Sequence, residues 1–312
     1  MKSFVKCSII ALAAVAAAVY LAPTAAAQQA PAPGAGAPGA PPAGAFGRGG
    51  GRGRGGRPRP PAGPTPHLPN DPYLGANAGK PDLGGNSQSV DAKMRGIWQV
   101  PYIIDMQKQG CAVDDEPCIA SAGRTHTKPV EVPFNAAGKK VFDEATATNS
   151  KDDPEGFCLP PGVPRMMYTP YPTEIFQLPE RVVFVYEGGA HVWRNIWLDG
   201  RPQPKDPNPT YLGYSTGKWE GDTLVVDTIG MNDRTWLDAA GHPHGEKLHV
   251  TEKFTRTDSN TLKVEATIDD PDYYTKPWTV VTFANWYPNQ EILEYICQEN
   301  NRDLKHLVGS EK

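Results

Sequence analysis

The chain lacks the local signatures of most cofactor and nucleophile chemistry. No phosphate loop and no dinucleotide fingerprint stands between a strand and a helix, which disfavours ATP and nicotinamide chemistry. A nucleophile elbow is missing as well, because Ser215 in GYSTG lies in a predicted strand and not on a strand-to-helix turn. Cysteine is scarce, five in 312 residues, and no Cys-x-x-Cys pair occurs to favour zinc. After Ile9–Ala22 no further run is apolar enough to span a bilayer. Repeats of fixed period are also missing, which excludes propellers and solenoids.

The N-terminal apolar run itself reads as an address. Lys2 and Lys6 precede it and Ala25, Ala26 and Ala27 follow before Gln28, the pattern of a signal peptide over residues 1–27. The expected location is therefore the periplasm or exterior of a bacterium. Residues 28–66 are Pro, Gly, Ala and Arg with almost nothing to bury, which predicts a disordered tether. Its Gly-Arg run resembles the boxes that bind single-stranded nucleic acid, yet interleaved aromatics are missing apart from Phe46. A solvated basic linker touching the anionic envelope surface fits better. Seven of the 31 Lys and Arg fall in residues 1–60 with no acid, leaving 24 against 35 Asp and Glu, a net charge of −11. That balance disfavours nucleic acid as a partner of the folded part, residues 67–312.

Cys7 precedes the apolar run, so four cysteines remain after cleavage. An even count in an exported chain predicts two disulfides. Cys111 with Cys118 suits a local clasp, and Cys158 with Cys297 then ties the chain across a long interval. Four cysteines permit three pairings, and this one is preferred.

Alternation of apolar and polar residues predicts strands at 96–102, 173–178, 182–187, 191–198, 212–219, 223–229, 247–257, 261–269, 278–286 and 291–297. Residues 135–148 predict one short helix with Asn135 as its N-cap, and 300–308 a helical tail. Residues 111–133 read as a loop insert. Joints such as Glu220-Gly-Asp222 and Asp258-Ser-Asn260 are too short for anything but antiparallel neighbours. The expected fold is all-β: an antiparallel up-and-down β-barrel of about ten strands, with a long loop over one mouth.

Gly96-x-Trp98 on the first strand, followed by a meander with GKWEGDTL at a hairpin, resembles the calycin superfamily of lipocalin-like barrels. As a set, CLPPGVPR (158–165), DGRPQPKDPNPTYLG (199–213), GKWEGDTLVVDT (217–228), NDRTWLDAAGHPH (232–244), LHVTE (248–252) and YICQENN (295–301) are similar to a group of exported bacterial proteins. That resemblance spans roughly residues 90–308 and implies the envelope location and the barrel; it implies no particular reaction.

The 230–247 loop gathers Asn232, Asp233, Arg234, Trp236, Asp238, His242 and His244 between two strands, where binding or catalysis commonly sits. His242-Pro-His244 has the spacing of a metal-binding pair, but Glu246 and Glu252 stand at the wrong distances for a cupin-like set. No metal or other cofactor is therefore expected, and if one binds, His242 and His244 are its ligands. His191, Trp193, Asn195 and Trp197 share one strand face. Facing inward they line a pocket for a flat or aromatic ligand; facing outward they leave Arg194 in a structural ion pair. For acid–base chemistry the candidates are His244, Glu252, Asp233 and His191, with Trp193, Arg194, Trp197, Asp227, Asn232, Trp236, Asp238 and His249 around the ligand. Turn capping and cross-strand pairing are the plainer roles open to these acids. The leading expectation is an exported barrel that binds a small apolar or aromatic molecule. Alternatives are a cofactor-independent hydrolase, lyase or isomerase using the same residues, and an envelope interaction protein. A small molecule is the expected partner; the number of subunits is left open.

Overall fold

The structure, a computed structural model, describes residues 61–84 and 96–299 without the side chains of Ala190 and His191. The predicted signal peptide, residues 28–60 of the tether and the C-terminal tail 300–308 lie outside the described residues. Nine strands close into a barrel in sequence order. They are β1 Gly96–Gln99, β2 Thr173–Leu178, β3 Arg181–Tyr186, β4 Trp193–Trp197, β5 Tyr214–Glu220, β6 Thr223–Ile229, β7 His249–Asp258, β8 Thr261–Asp269 and β9 Trp278–Pro288. The helices are α1 Met106–Gln109, α2 Glu116–Ala120, α3 Ala136–Ala147 and α4 Gly188–His191.

Two expectations are corrected. The run Glu291–Cys297 forms no tenth strand, because β9 already pairs with β1 and leaves no edge to extend. The meander also breaks once, since β4 and β5 run parallel. Parallel neighbours need a long crossover, and the segment from Leu198 to Gly213, with Pro202, Pro204, Pro207 and Pro209, supplies it. The next joint is tight: Gly221, at φ 60°, makes the left-handed turn between β5 and β6 that a side chain resists.

Alternation carries one face of each strand inward, as with Leu224, Val226 and Thr228 on β6 and Val250, Glu252 and Phe254 on β7. Ile175, Val182, Phe184, Ile196, Val264 and Ala266 complete an interior filled by side chains. Burying each large apolar group contributes about 1.5–3 kcal/mol. At one end, residues from 61–84 seal the barrel. Gln177 Oε1 accepts from Leu83 N at 2.7 Å, and Arg256 reaches the Asp82 carbonyl while lying over Trp98 and Trp286. Burial pulls the Arg256 pKa down to about 10 despite the nearby Asp82. Gly63 and Thr65 also hydrogen-bond to Ser259 and the Arg256 carbonyl, so fixed structure begins within the segment read as tether.

The segment read as a loop insert is a pad for β9. It holds α2 and the Cys111–Cys118 disulfide, whose sulfurs pack with Val281 and Phe283 on the strand's outer face. The second disulfide joins Cys158 to Cys297. Asn135 caps α3 as its sequence predicts, its side chain accepting from Gly138 N at 2.9 Å.

Candidate functional site

The parallel seam creates a concavity. β4 and β5 are registered only at Ile196 with Ser215 and Trp197 with Thr216, and on the N-terminal side of that contact they part. The gap is a cleft of about 400 Å³ lined by Pro160, Trp193, Trp197, Tyr211, Leu212 and Tyr214, with Arg194 and Ser215 also on its lining. Trp193 is 64 % exposed on the outer face of β4, and Trp197 lies under the Arg201 guanidinium at 3.6 Å.

Behind this lining sits a polar layer inside the barrel. Arg194 Nε donates to Ser215 Oγ at 2.9 Å and Nη2 donates to Thr228 Oγ1 at 2.6 Å. Nη2 also stands 2.6 Å from Glu252 Oε2, an ion pair with both side chains almost fully buried. Glu252 meets Arg194 both by charge and by a side-chain hydrogen bond. Arg194 thereby ties β4 to β5, β6 and β7 where backbone bonding across the seam has stopped. Burial works against its charge, but Glu252 and Tyr186 outweigh that and raise its pKa.

Two phenols adjoin the pair. Burial raises the Tyr186 pKa; Arg194 opposes this by its charge and by a hydrogen bond, while Glu252 adds to it. Tyr168, fully buried, is raised well above the usual phenol value by burial and then by the charges of Glu252 and Asp238. Both hydroxyls therefore stay protonated, and that of Tyr168 has no hydrogen-bond partner among the described residues.

The burial pattern of β4 answers the question its sequence left open. Arg194 and Ile196 face inward, while Trp193, Asn195 and Trp197 face out, so neither indole of β4 lines the lumen. His191 ends the helical turn α4 and is not the start of a strand.

The 230–247 loop plugs the barrel mouth and does not roof an open pocket. Met231, Leu237, His242 and His244 are buried in it. Asp238 organises the plug: Oδ1 accepts from the backbone N–H groups of Ala240, Gly241 and His242, and Oδ2 accepts from Met106 N and meets His242 Nδ1, each at 2.7 Å. Burial alone would raise the Asp238 pKa, but His242 and these N–H groups lower it. The His242 ring packs against Phe134 and Phe142.

Among the described residues His242 and His244 are not gathered into one group of metal-ligating donors. His242 falls in with Asp105 and Asp238, three donors within 4.8 Å of one another. Those donors are already engaged, Asp105 by Lys108 at 2.7 Å and Asp238 by Met106 and His242. Cys111, Cys118 and His126 form a second such group, but its sulfurs are joined in the disulfide. His244 Nε2 meets Thr235 Oγ1 at 2.7 Å and Nδ1 meets the Gly245 carbonyl at 3.2 Å. Nδ1 must therefore carry the proton and Nε2 accept from the threonine.

Burial holds the His244 pKa below the ordinary value. An unfolded chain then takes up a proton near pH 6.5 that the folded one refuses. Stability from this group is complete above about pH 6.5 and is lost as pH falls toward the depressed folded value, by at most about 1.4 kcal/mol per pH unit. Thermal melts from pH 7 to 5 should fall in wild type and flatten in His244→Gln; parallel curves would refute the assignment.

The other predicted residues are dispersed. Asp227 and His249 pair on the outer face, each about two-fifths exposed, with Thr251 Oγ1 3.4 Å from Asp227. His249 lines a shallow cleft of about 240 Å³ with Asp206, Glu246 and Lys247. Asp233 is exposed, Trp236 is half-buried, and Asn232 Oδ1 caps Arg234 N at 3.1 Å. Of the predicted set, the structure brings together Trp193, Arg194, Trp197 and Glu252. Tyr168, Tyr186, Thr228, Tyr211 and Leu212 were missed. Thr228 was readable from its inward phase on β6, but nothing around Tyr168 signals its position. Ser215 does carry the letters Gly-x-Ser-x-Gly, yet it lies in mid-strand with Arg194 and Thr228 as partners and no histidine.

Comparisons with protein-family models, curated proteins and solved structures return no match for the chain.

Proposed function

We propose that this is an exported, calycin-like barrel that binds a flat ring compound in the cleft between β4 and β5. The supporting observation is the parting of these strands after two registered positions, which leaves Trp193, Tyr211, Leu212 and Tyr214 around a concavity of ligand size. Aromatic walls offer stacking area, and an open cleft admits ligand without disturbing the filled core. Two disulfides fit an oxidising compartment such as the periplasm or the exterior. The filled interior argues against carriage within the lumen.

Trp193→Ala should weaken binding of 2-methoxynaphthalene about tenfold, near 1.4 kcal/mol. Ligand-observed NMR on the mature chain measures it. Wild-type protein that binds neither this probe nor any compound carried through native purification would sink the reading.

The acid–base alternative has one observation in its favour. His249 meets Asp227 beside a concavity that also holds Asp206 and Glu246, which gives a histidine oriented by a carboxylate. On that reading His249→Gln abolishes turnover of a substrate that Trp193→Ala still processes.

A further inference from the structure

The short disulfide has a histidine beside it. His126 Nδ1 stands 3.2 Å from Cys118 Sγ, although a disulfide sulfur is a weak acceptor that offers an imidazole little. The histidine is placed by the chain next to it. Asp115 Oδ2 accepts from Thr127 N at 2.9 Å, and Oδ1 accepts from Thr127 Oγ1 and caps α2 at Cys118 N. One carboxylate thus clamps the residue after His126 to the helix that carries Cys118. Cys111 is fixed separately, exchanging two backbone hydrogen bonds with Val281 of β9. None of these bonds uses a sulfur, so the arrangement does not depend on the disulfide being closed.

Two sulfurs and one imidazole nitrogen therefore lie within 4.8 Å of one another. Joined as a disulfide, the sulfurs have no charge to offer a cation. Reduced, two thiolates and a neutral imidazole are three of the four ligands of a tetrahedral zinc site. With bonds of about 2.3 Å to sulfur and about 2.0 Å to nitrogen, such ligands stand roughly 3.5–3.8 Å apart, inside the observed spread. Thiolates select zinc or copper(I) over calcium and magnesium. The sulfurs are buried against Val281 and Phe283 while His126 is exposed, which gives a cation its route in.

We propose that Cys111, Cys118 and His126 form a redox-gated site for a thiophilic cation, closed as the disulfide and opened by a dithiol reductant. The step balances: the dithiol becomes a disulfide and passes two electrons and two protons to Cys111 and Cys118. The cation then displaces both protons as it binds. His126 coordinates through Nδ1, the nitrogen that already faces Cys118.

The test titrates the mature protein with zinc against a chromophoric chelator, with and without a phosphine reductant, which binds zinc far less than a dithiol does. Alkylation and peptide mapping show which disulfide is open. Reduced wild type should bind one zinc per chain, and oxidised wild type none at the same concentrations. His126→Ala should bind zinc roughly tenfold or more weakly when reduced. Its melting temperature when oxidised should match wild type, because the side chain is exposed. Cys111→Ser/Cys118→Ser should bind no zinc in either condition. Should reduction unfold the chain, cobalt(II) is added during refolding in phosphine. Tetrahedral thiolate–cobalt bands should then appear in Cys158→Ser/Cys297→Ser and not in Cys111→Ser/Cys118→Ser. Reduced wild type that takes up no zinc and shows no such bands overturns the site. Zinc held in full by Cys111→Ser/Cys118→Ser, or by His126→Ala, overturns it too.

Discussion

Glu252→Ala is expected to lower the free energy of unfolding by about 3–5 kcal/mol, the usual cost of leaving one member of a buried ion pair alone. Urea denaturation at neutral pH measures it. The magnitude comes from Arg194, which is buried with Glu252 as its charge partner at 2.6 Å and with the hydroxyls of Ser215 and Thr228 as further hydrogen-bond acceptors. Removing the carboxylate leaves a guanidinium that burial penalises. The double variant Arg194→Met/Glu252→Leu removes both charges and should regain most of the loss, because a packed apolar pair rivals a buried ionic one. A single variant within 1 kcal/mol of wild type, on the order of a surface pair, would show that water reaches the guanidinium freely.

Loss of the Cys158–Cys297 disulfide carries the second large effect. It closes an interval of 139 residues, against 7 for Cys111–Cys118. Chain entropy alone then assigns about 5 kcal/mol to the long bond and about 2 kcal/mol to the short one. The long bond also anchors a C-terminal segment that forms no strand and is otherwise held by contacts such as Leu293 N to Glu187 Oε2. Replacing Cys158 and Cys297 by Ala should therefore lower the denaturation midpoint far more than replacing Cys111 and Cys118. Equal shifts would mean that the short clasp acts through its packing on Val281 and Phe283 and not through the unfolded chain.

Much of the barrel was legible because its strands bury one face. The phase of Leu224, Val226 and Thr228, and that of Val250, Glu252 and Phe254, needs no tertiary knowledge. The cap at Asn135 was readable for a similar reason: a single side chain meets the helix that follows it. β4 was not readable in this way, since its two faces carry equally bulky groups. Arg194 points inward because hydroxyls and a carboxylate from β5, β6 and β7 converge on it, and no local window contains them. The Glu291–Cys297 run shows the converse: its alternation is real, but a closed barrel offers no edge for it. His242 and His244 share a residue type and a loop, yet Asp238 takes one and Thr235 the other.

The seam between β4 and β5 is one of two weak joints at which this barrel comes apart. Seven boundaries between strands are antiparallel ladders of four or more registered positions, while β1 and β2 are registered at one position and this seam at two, with an arginine beside them. A cylinder with two weak stave joints opens at one of them, and opening at this seam unrolls it toward a sheet with β4 and β5 as its edges. Amide hydrogens near Trp193 and Tyr214 should then exchange at a lower free energy than those of β8 and β9, which pair across the barrel from the joint. Such an opening bares two unpaired strand edges at once, the kind of surface on which a second chain can zip.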